Sequence, residues 1–163
     1  MLLLLAAASA WTGYYRQPDV HGDTVVFLAD GDLWTVSTDG GLARQLTANP
    51  GFDGSPAFSP DGALIAYTSD LDGSTDVYVV PAAGGEPRRL TWHPAADESL
   101  GWTPDGDVLF RSTRIDPHGS WHVFRVSPQG GEPREVPVGW ASRLAIEPRS
   151  EERRVGKECR SRW

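Results

Sequence analysis

Two short stretches hold the residue types from which sites are built. In "DLDGSTD", Asp70, Asp72 and Asp76 surround Gly73, the order in which a calcium loop presents its oxygens. Calcium takes about six to eight oxygens, and a loop of the EF type closes on a bidentate Glu at about its twelfth position. That place here is Pro81, and the flanks alternate like strands. The stretch therefore reads as a hairpin turn whose Asp and Gly serve backbone conformation. In "HGSWH", His118 and His122 have a spacing that suits zinc on a helix. They span a loop and an alternating strand instead, which does not set both imidazoles on one face. His21 and His93, beside Gly22 and Pro94, read as turn residues. There is no G-x-S-x-G elbow, no serine or cysteine with a neighbouring signature of activation, and no Gly-rich phosphate loop opening a helix. A single cysteine, Cys159, leaves no disulfide framework and no cysteine-based zinc site. No catalytic, metal or cofactor-binding residue is assigned, and no cofactor is expected.

The elements that would position any site come from a repeat. The Gly-Gly pairs fall at 40/41, 84/85 and 130/131, and an aromatic of an alternating segment falls at Trp34, Tyr78 and Phe124. Pro60 and Pro104 open two "PDG" turns. Between such turns lie β-branched and aromatic segments, "LIAYTS" with "DVYVVP" in one copy and "DLWTVS" or "HVFRVS" in the others. Each copy ends in an arginine-containing segment, "RQLT", "RRLT" or "REVP". Four short strands in a repeat of about 44 residues match the build of a β-propeller blade. Trp34, Trp102 and Trp121 read as packing between sheets more than as ligand platforms. The expected fold is all-β, an incomplete β-propeller of three four-stranded blades, about residues 12–54, 55–98 and 99–141, with a fourth beginning at 142–148.

The ends depart from this pattern. The first ten residues, "MLLLLAAASA", are apolar and finish on the small-x-small form cleaved by signal peptidase. A secretory leader and a secreted or periplasmic location are expected. Pro148 stands where a fourth "PDG" would start, but the chain continues "RSEERRVGKECRSRW", which holds the only lysine, Lys157. Residues 149–163 read as a fusion scar or a disordered tail, outside the fold. Before them, nine arginines face nineteen acids, a net of −10. Such an acidic body is repelled by phosphate backbones, and nucleic-acid binding is not expected.

"AFSPDG", "IAYTSD" and "GGEPRRLT" together resemble the propeller repeats shared by TolB-like periplasmic proteins and tricorn-type proteases. "GYYRQPDVHGDTVVFLADGDLWTVSTDGGLARQLTANPG", from Gly13 to Gly51, is similar to the opening of tricorn-protease homologues, and "GWTPDGDVLFRS" to their third blade. The resemblance covers about residues 13–148. It implies a six-bladed propeller followed by a seven-bladed one, a PDZ-like domain and a serine peptidase core, with catalytic residues far downstream. It also implies peptide or protein substrates, contact with the remaining blades and the peptidase domain, and a homo-oligomer at full length. The expected role is a non-catalytic peptide channel or docking module of a tricorn-like serine endopeptidase. The alternative is a TolB-like protein-binding propeller without enzymatic activity.

Overall fold

The computed structural model describes residues 14–140. The leader, the start of a fourth blade and the basic tail lie outside these residues. Within them the chain forms twelve strands in three sheets. The first sheet is β1 (Arg16–His21), β2 (Thr24–Ala29), β3 (Asp32–Ser37) and β4 (Arg44–Gln45). The second is β5 (Asp53–Phe58), β6 (Leu64–Ser69), β7 (Asp76–Pro81) and β8 (Arg88–Arg89). The third is β9 (Asp97–Trp102), β10 (Val108–Ser112), β11 (His122–Val126) and β12 (Arg134–Trp140). Each is an antiparallel meander in which sequence neighbours pair. The all-β, three-bladed expectation holds.

The turn chemistry explains the registers. In Ser59-Pro60-Asp61-Gly62 the Gly62 amide donates to the Ser59 carbonyl at 2.8 Å, and Gly106 repeats this bond to Thr103 at 3.0 Å. Proline presets the turn and glycine accepts the left-handed exit at φ +71°. The Gly-Gly pairs close the hairpins between third and fourth strands, with Gly84 donating to Pro81 and Gly130 to Ser127, each at 2.8 Å.

The first strands β1, β5 and β9 lie side by side, which places them innermost. The sheets then stack face to face. Val26, Leu28 and Leu33 of the first meet Ile65, Tyr67, Tyr78 and Val80 of the second. Ala66, Val77 and Val79 on the opposite face of the second meet Val108, Phe110, Phe124 and Val126 of the third. The middle sheet is thus covered on both faces, and β7 is buried from Asp76 through Val80. Burial of each such side chain contributes about 1.5–3 kcal/mol.

The three tryptophans do not share one place. Trp102 packs against the cluster between the second and third sheets and donates its indole N–H to the Ala57 carbonyl at 2.9 Å. Trp34 donates to Ala29 of its own blade at 3.2 Å, and Trp121 lies against the Arg111 guanidinium at 4.5 Å. Among the described residues, Trp102 is the one of the three that packs against an inter-sheet cluster. Trp34 holds the repeat position of Tyr78 and Phe124 but alternates with Leu33, on the face of the first sheet turned away from the second.

Candidate functional site

The polar chemistry of this chain gathers at the two junctions between blades and at the ends of the sheets. Each junction is built on an Asp that opens the inner strand of the following blade. Asp53 stands opposite Ser69 across β5 and β6, and Asp97 stands opposite Ser112 across β9 and β10. Asp53 is 7% exposed and Asp97 is fully buried. A threonine from the end of the preceding blade reaches into each place. Thr47 accepts from the Leu33 amide at 2.9 Å and donates to Asp53 at 2.5 Å. Thr91 accepts from the Val77 amide at 3.0 Å and donates to Asp76 at 3.0 Å. Burial pushes the Asp53 and Asp97 carboxyls above the usual carboxylate range, against the hydroxyl groups of Thr47 and Ser112 respectively. At Asp97 the Arg114 guanidinium also opposes the rise, at 2.5 Å. The sequence carries this motif as Thr followed six places later by Asp, in "TANPGFD" and "TWHPAAD". Reading the repeat by its turns and aromatics passes over it.

The acidic loop and the histidine pair acquire definite roles. Asp70 accepts the Phe52 amide at 2.6 Å. Asp72 accepts from the Tyr78 hydroxyl at 2.9 Å and from Arg89 at 3.0 Å. Asp76 is fully buried and takes Arg89 at 2.6 Å and the Ser74 hydroxyl at 2.5 Å. Asp70 thus holds a backbone amide while Asp72 and Asp76 share Arg89, and no group of three or more His, Cys, Asp or Glu side chains placed to hold a metal occurs among the described residues. His122 pairs through Nδ1 with Glu135 at 2.9 Å. His118 sits in a turn whose amide donates to Asp116 at 2.7 Å. His93 accepts the Ala95 amide on Nδ1 at 3.0 Å, and His21 lies against Phe58 at the first junction. His122 and Glu135 occupy the third-blade counterpart of Asp76 and Arg89, and of Asp32 and Gln45, where Gln45 donates to Asp32 at 2.9 Å. One cross-strand position thus carries a different polar pair in each blade.

Grooves open where the inner turn of one blade meets the hairpin of its neighbour. Between the first and second blades lies a groove of about 580 Å³ lined by His21, Asp23, Thr35, Arg44, Phe58 and Ala83. Between the second and third lies one of about 420 Å³ lined by Pro60, Asp61, Trp102, Pro104, Asp105 and Asp107. Asp61 is held below the usual carboxylate range by the Ser59 hydroxyl and then the Ala63 amide, so its charge is secure at neutral pH. Arginines bridge the same edge. Arg44 donates to the carbonyls of Ala83 at 2.8 Å and Ala82 at 3.0 Å, on the hairpin of the next blade. Arg88 repeats the contact to the Pro128 carbonyl of the third blade.

Stacked four-stranded meanders with innermost first strands and repeated junctions define a β-propeller built of repeats of about 44 residues. The family can then be stated. The family model for the Tricorn protease N-terminal beta propeller domain matches residues 12–160, and the chain belongs to that family. Tricorn protease homolog 1 of Streptomyces coelicolor is 41% identical over 64 residues, which cover 39% of this chain and 6% of that protein. The crystal structure of the tricorn protease superposes with a TM-score of 0.73 at 25% identity, over 83% of this chain and 14% of the other. A TolB structure from Agrobacterium tumefaciens superposes with a TM-score of 0.61 at 23% identity, over 76% of this chain and 48% of the other. The chain thus aligns with only a small part of the tricorn proteins it matches.

Proposed function

We propose that this chain is the N-terminal propeller of a secreted or periplasmic tricorn-like serine endopeptidase, and that it passes and docks peptides without cleaving them. Membership of the tricorn propeller family supports the parent activity. The observation that carries the docking role is the groove between the second and third blades, edged by Asp61, Asp105 and Asp107; in the groove between the first and second, Asp23 is matched by Arg44. Fixed carboxylates around a concave entrance concentrate cationic ligands and repel anionic ones. Peptides carrying lysine or arginine are therefore the favoured class. Partners within the parent protein are the remaining blades and the peptidase domain, and the full-length protein works as a homo-oligomer. The likeness to TolB favours a second reading, a binding propeller that docks a protein partner and performs no chemistry.

Sequencing the source locus beyond codon 148 separates the two. Further blades followed by PDZ-like and serine peptidase segments support the first reading. A frame that closes directly after a propeller supports the second. For the docking role itself, removing the propeller from the intact peptidase should abolish its discrimination between basic and acidic peptides. Unchanged discrimination would contradict the assignment.

A further inference from the structure

The two junctions share a pair of carboxylates but not their counter-charges. Asp32 and Asp53 at the first correspond to Asp76 and Asp97 at the second, each 44 residues on. At the second, Arg89 reaches Asp76 at 2.6 Å and Arg114 reaches Asp97 at 2.5 Å. At the first, Gln45 stands in the place of Arg89. Leu71, two residues after Ser69 as Arg114 is two after Ser112, stands in the place of Arg114 and packs against the apolar cluster.

Among the described residues no arginine, lysine or histidine is paired with Asp53. The groups acting on it are the hydroxyls of Thr47 and Ser69, the Asn49 side chain and the carboxylate of Asp32. On β1, Arg16 lies over the Tyr14 ring, Asp19 accepts the Phe58 amide and His21 lies against Phe58 at the far end of β5. On β9, Asp97 and Glu98 are each held by an arginine. Asp70, which follows Ser69 in the chain, adds another negative charge beside Phe52. The Asp53 Oδ1 and the Tyr67 hydroxyl are both buried and without hydrogen-bond partners among the described residues. The Asp97 Oδ1 at the second junction is too, but there Arg114 holds the other carboxylate oxygen. An uncompensated carboxylate in such a place costs several kcal/mol, and the usual escape is neutralisation.

We propose that the first junction carries its compensating charge as a proton on Asp53, where the second carries arginines. The seam between blades 1 and 2 is then acid-stabilised and weakens as pH rises. At the second seam burial raises Asp97 too, but Arg114 opposes the rise, so that seam weakens less. Burial first, opposed by the hydroxyls, and then the Asp32 charge raise the Asp53 carboxyl in the folded chain. A raised folded value makes the stabilisation complete below the unfolded carboxylate range and loses it as pH climbs through the folded value.

The test is urea unfolding of the full 163-residue chain, from about pH 2.5 to about pH 9, for the natural sequence, Asp53→Asn and Gln45→Arg. Asparagine mimics the protonated carboxyl, and the arginine restores the counter-charge of the second junction. The folding constant of Asp53→Asn relative to the natural chain should be flat at low pH. It should then climb by up to about tenfold per pH unit between the unfolded carboxylate range and the folded Asp53 value, and level off once the folded Asp53 ionises. Gln45→Arg should stabilise the chain selectively at high pH. A ratio independent of pH for both variants overturns the proposal. If Asp53→Asn does not fold, the carboxyl ¹³C shift of Asp53 decides, and titration in the ordinary aspartate range overturns it equally.

Discussion

Arg114 shows how much one side chain can hold at a junction. Its guanidinium lies 5.1 Å from the ring centroids of both Phe110 and Phe124 and pairs with the fully buried Asp97. Arg114→Met keeps the apolar stem but leaves a buried carboxylate without its partner, a loss of about 3–5 kcal/mol in urea unfolding. Arg125 faces Asp107 at 3.6 Å with both side chains partly exposed, so Arg125→Met should change stability by about 1 kcal/mol or less. Equal effects of the two changes would contradict the ranking. Gly51 is a second residue-scale test. A Cβ there would fall 2.7 Å from the Leu71 amide nitrogen, which is backbone and cannot rotate away. Gly51→Ala should cost about 1–3 kcal/mol by the same measurement. No loss at all would show that the loop shifts freely.

The arginines of the fourth strands act between elements. Arg44 and Arg88 each reach forward to the hairpin of the next blade, and Arg134 occupies the same repeat position in the third. Arg88→Ala should cost only about 1 kcal/mol overall. Its signature should be faster amide exchange in the hairpin around Gly130, with exchange in its own hairpin around Gly84 unchanged. Acceleration confined to the Gly84 hairpin would contradict a forward clasp. This scale also shows what the sequence conveys. The turns at Pro60 and Pro104 and the Gly-Gly pairs announce themselves because their residue types have few other uses. The strand β7 conveys its existence but not its two-sided burial, since a run such as "DVYVV" looks alike on a half-covered sheet. The junction motif was hidden for a different reason. Thr47 and Asp53 lie in a connection between blades, where both residue types pass for ordinary loop chemistry until the stacking brings them together.

At the scale of the whole molecule, opposite properties fall on the two ends of the sheets. One end carries the grooves with Asp23, Asp61, Asp105 and Asp107. The other carries the loop of Asp70 to Asp76, whose charges are turned inward to Arg89, Tyr78 and the Phe52 amide. Asp70, Asp72 and Asp76 are thus engaged in internal contacts, and the chemistry of the rim is electrostatic. The sequence conveyed the acidic balance of the body but not its placement, because only closure of the turns brings Asp61 and Asp105 to one edge. Attraction at such a rim is screened by salt over about 10 Å at ~0.1 M, so binding should weaken as salt is added.

The most direct measurement is an NMR titration of the chain with unstructured peptides that differ only in charge, with peptide cleavage followed in the same samples. The account predicts shifts at Asp61, Asp105 and Trp102 with basic peptides, weaker or absent shifts with acidic ones, and intact peptide throughout. Cleavage by this chain, or shifts that ignore charge and map to the loop at Asp70 to Asp76, would contradict it.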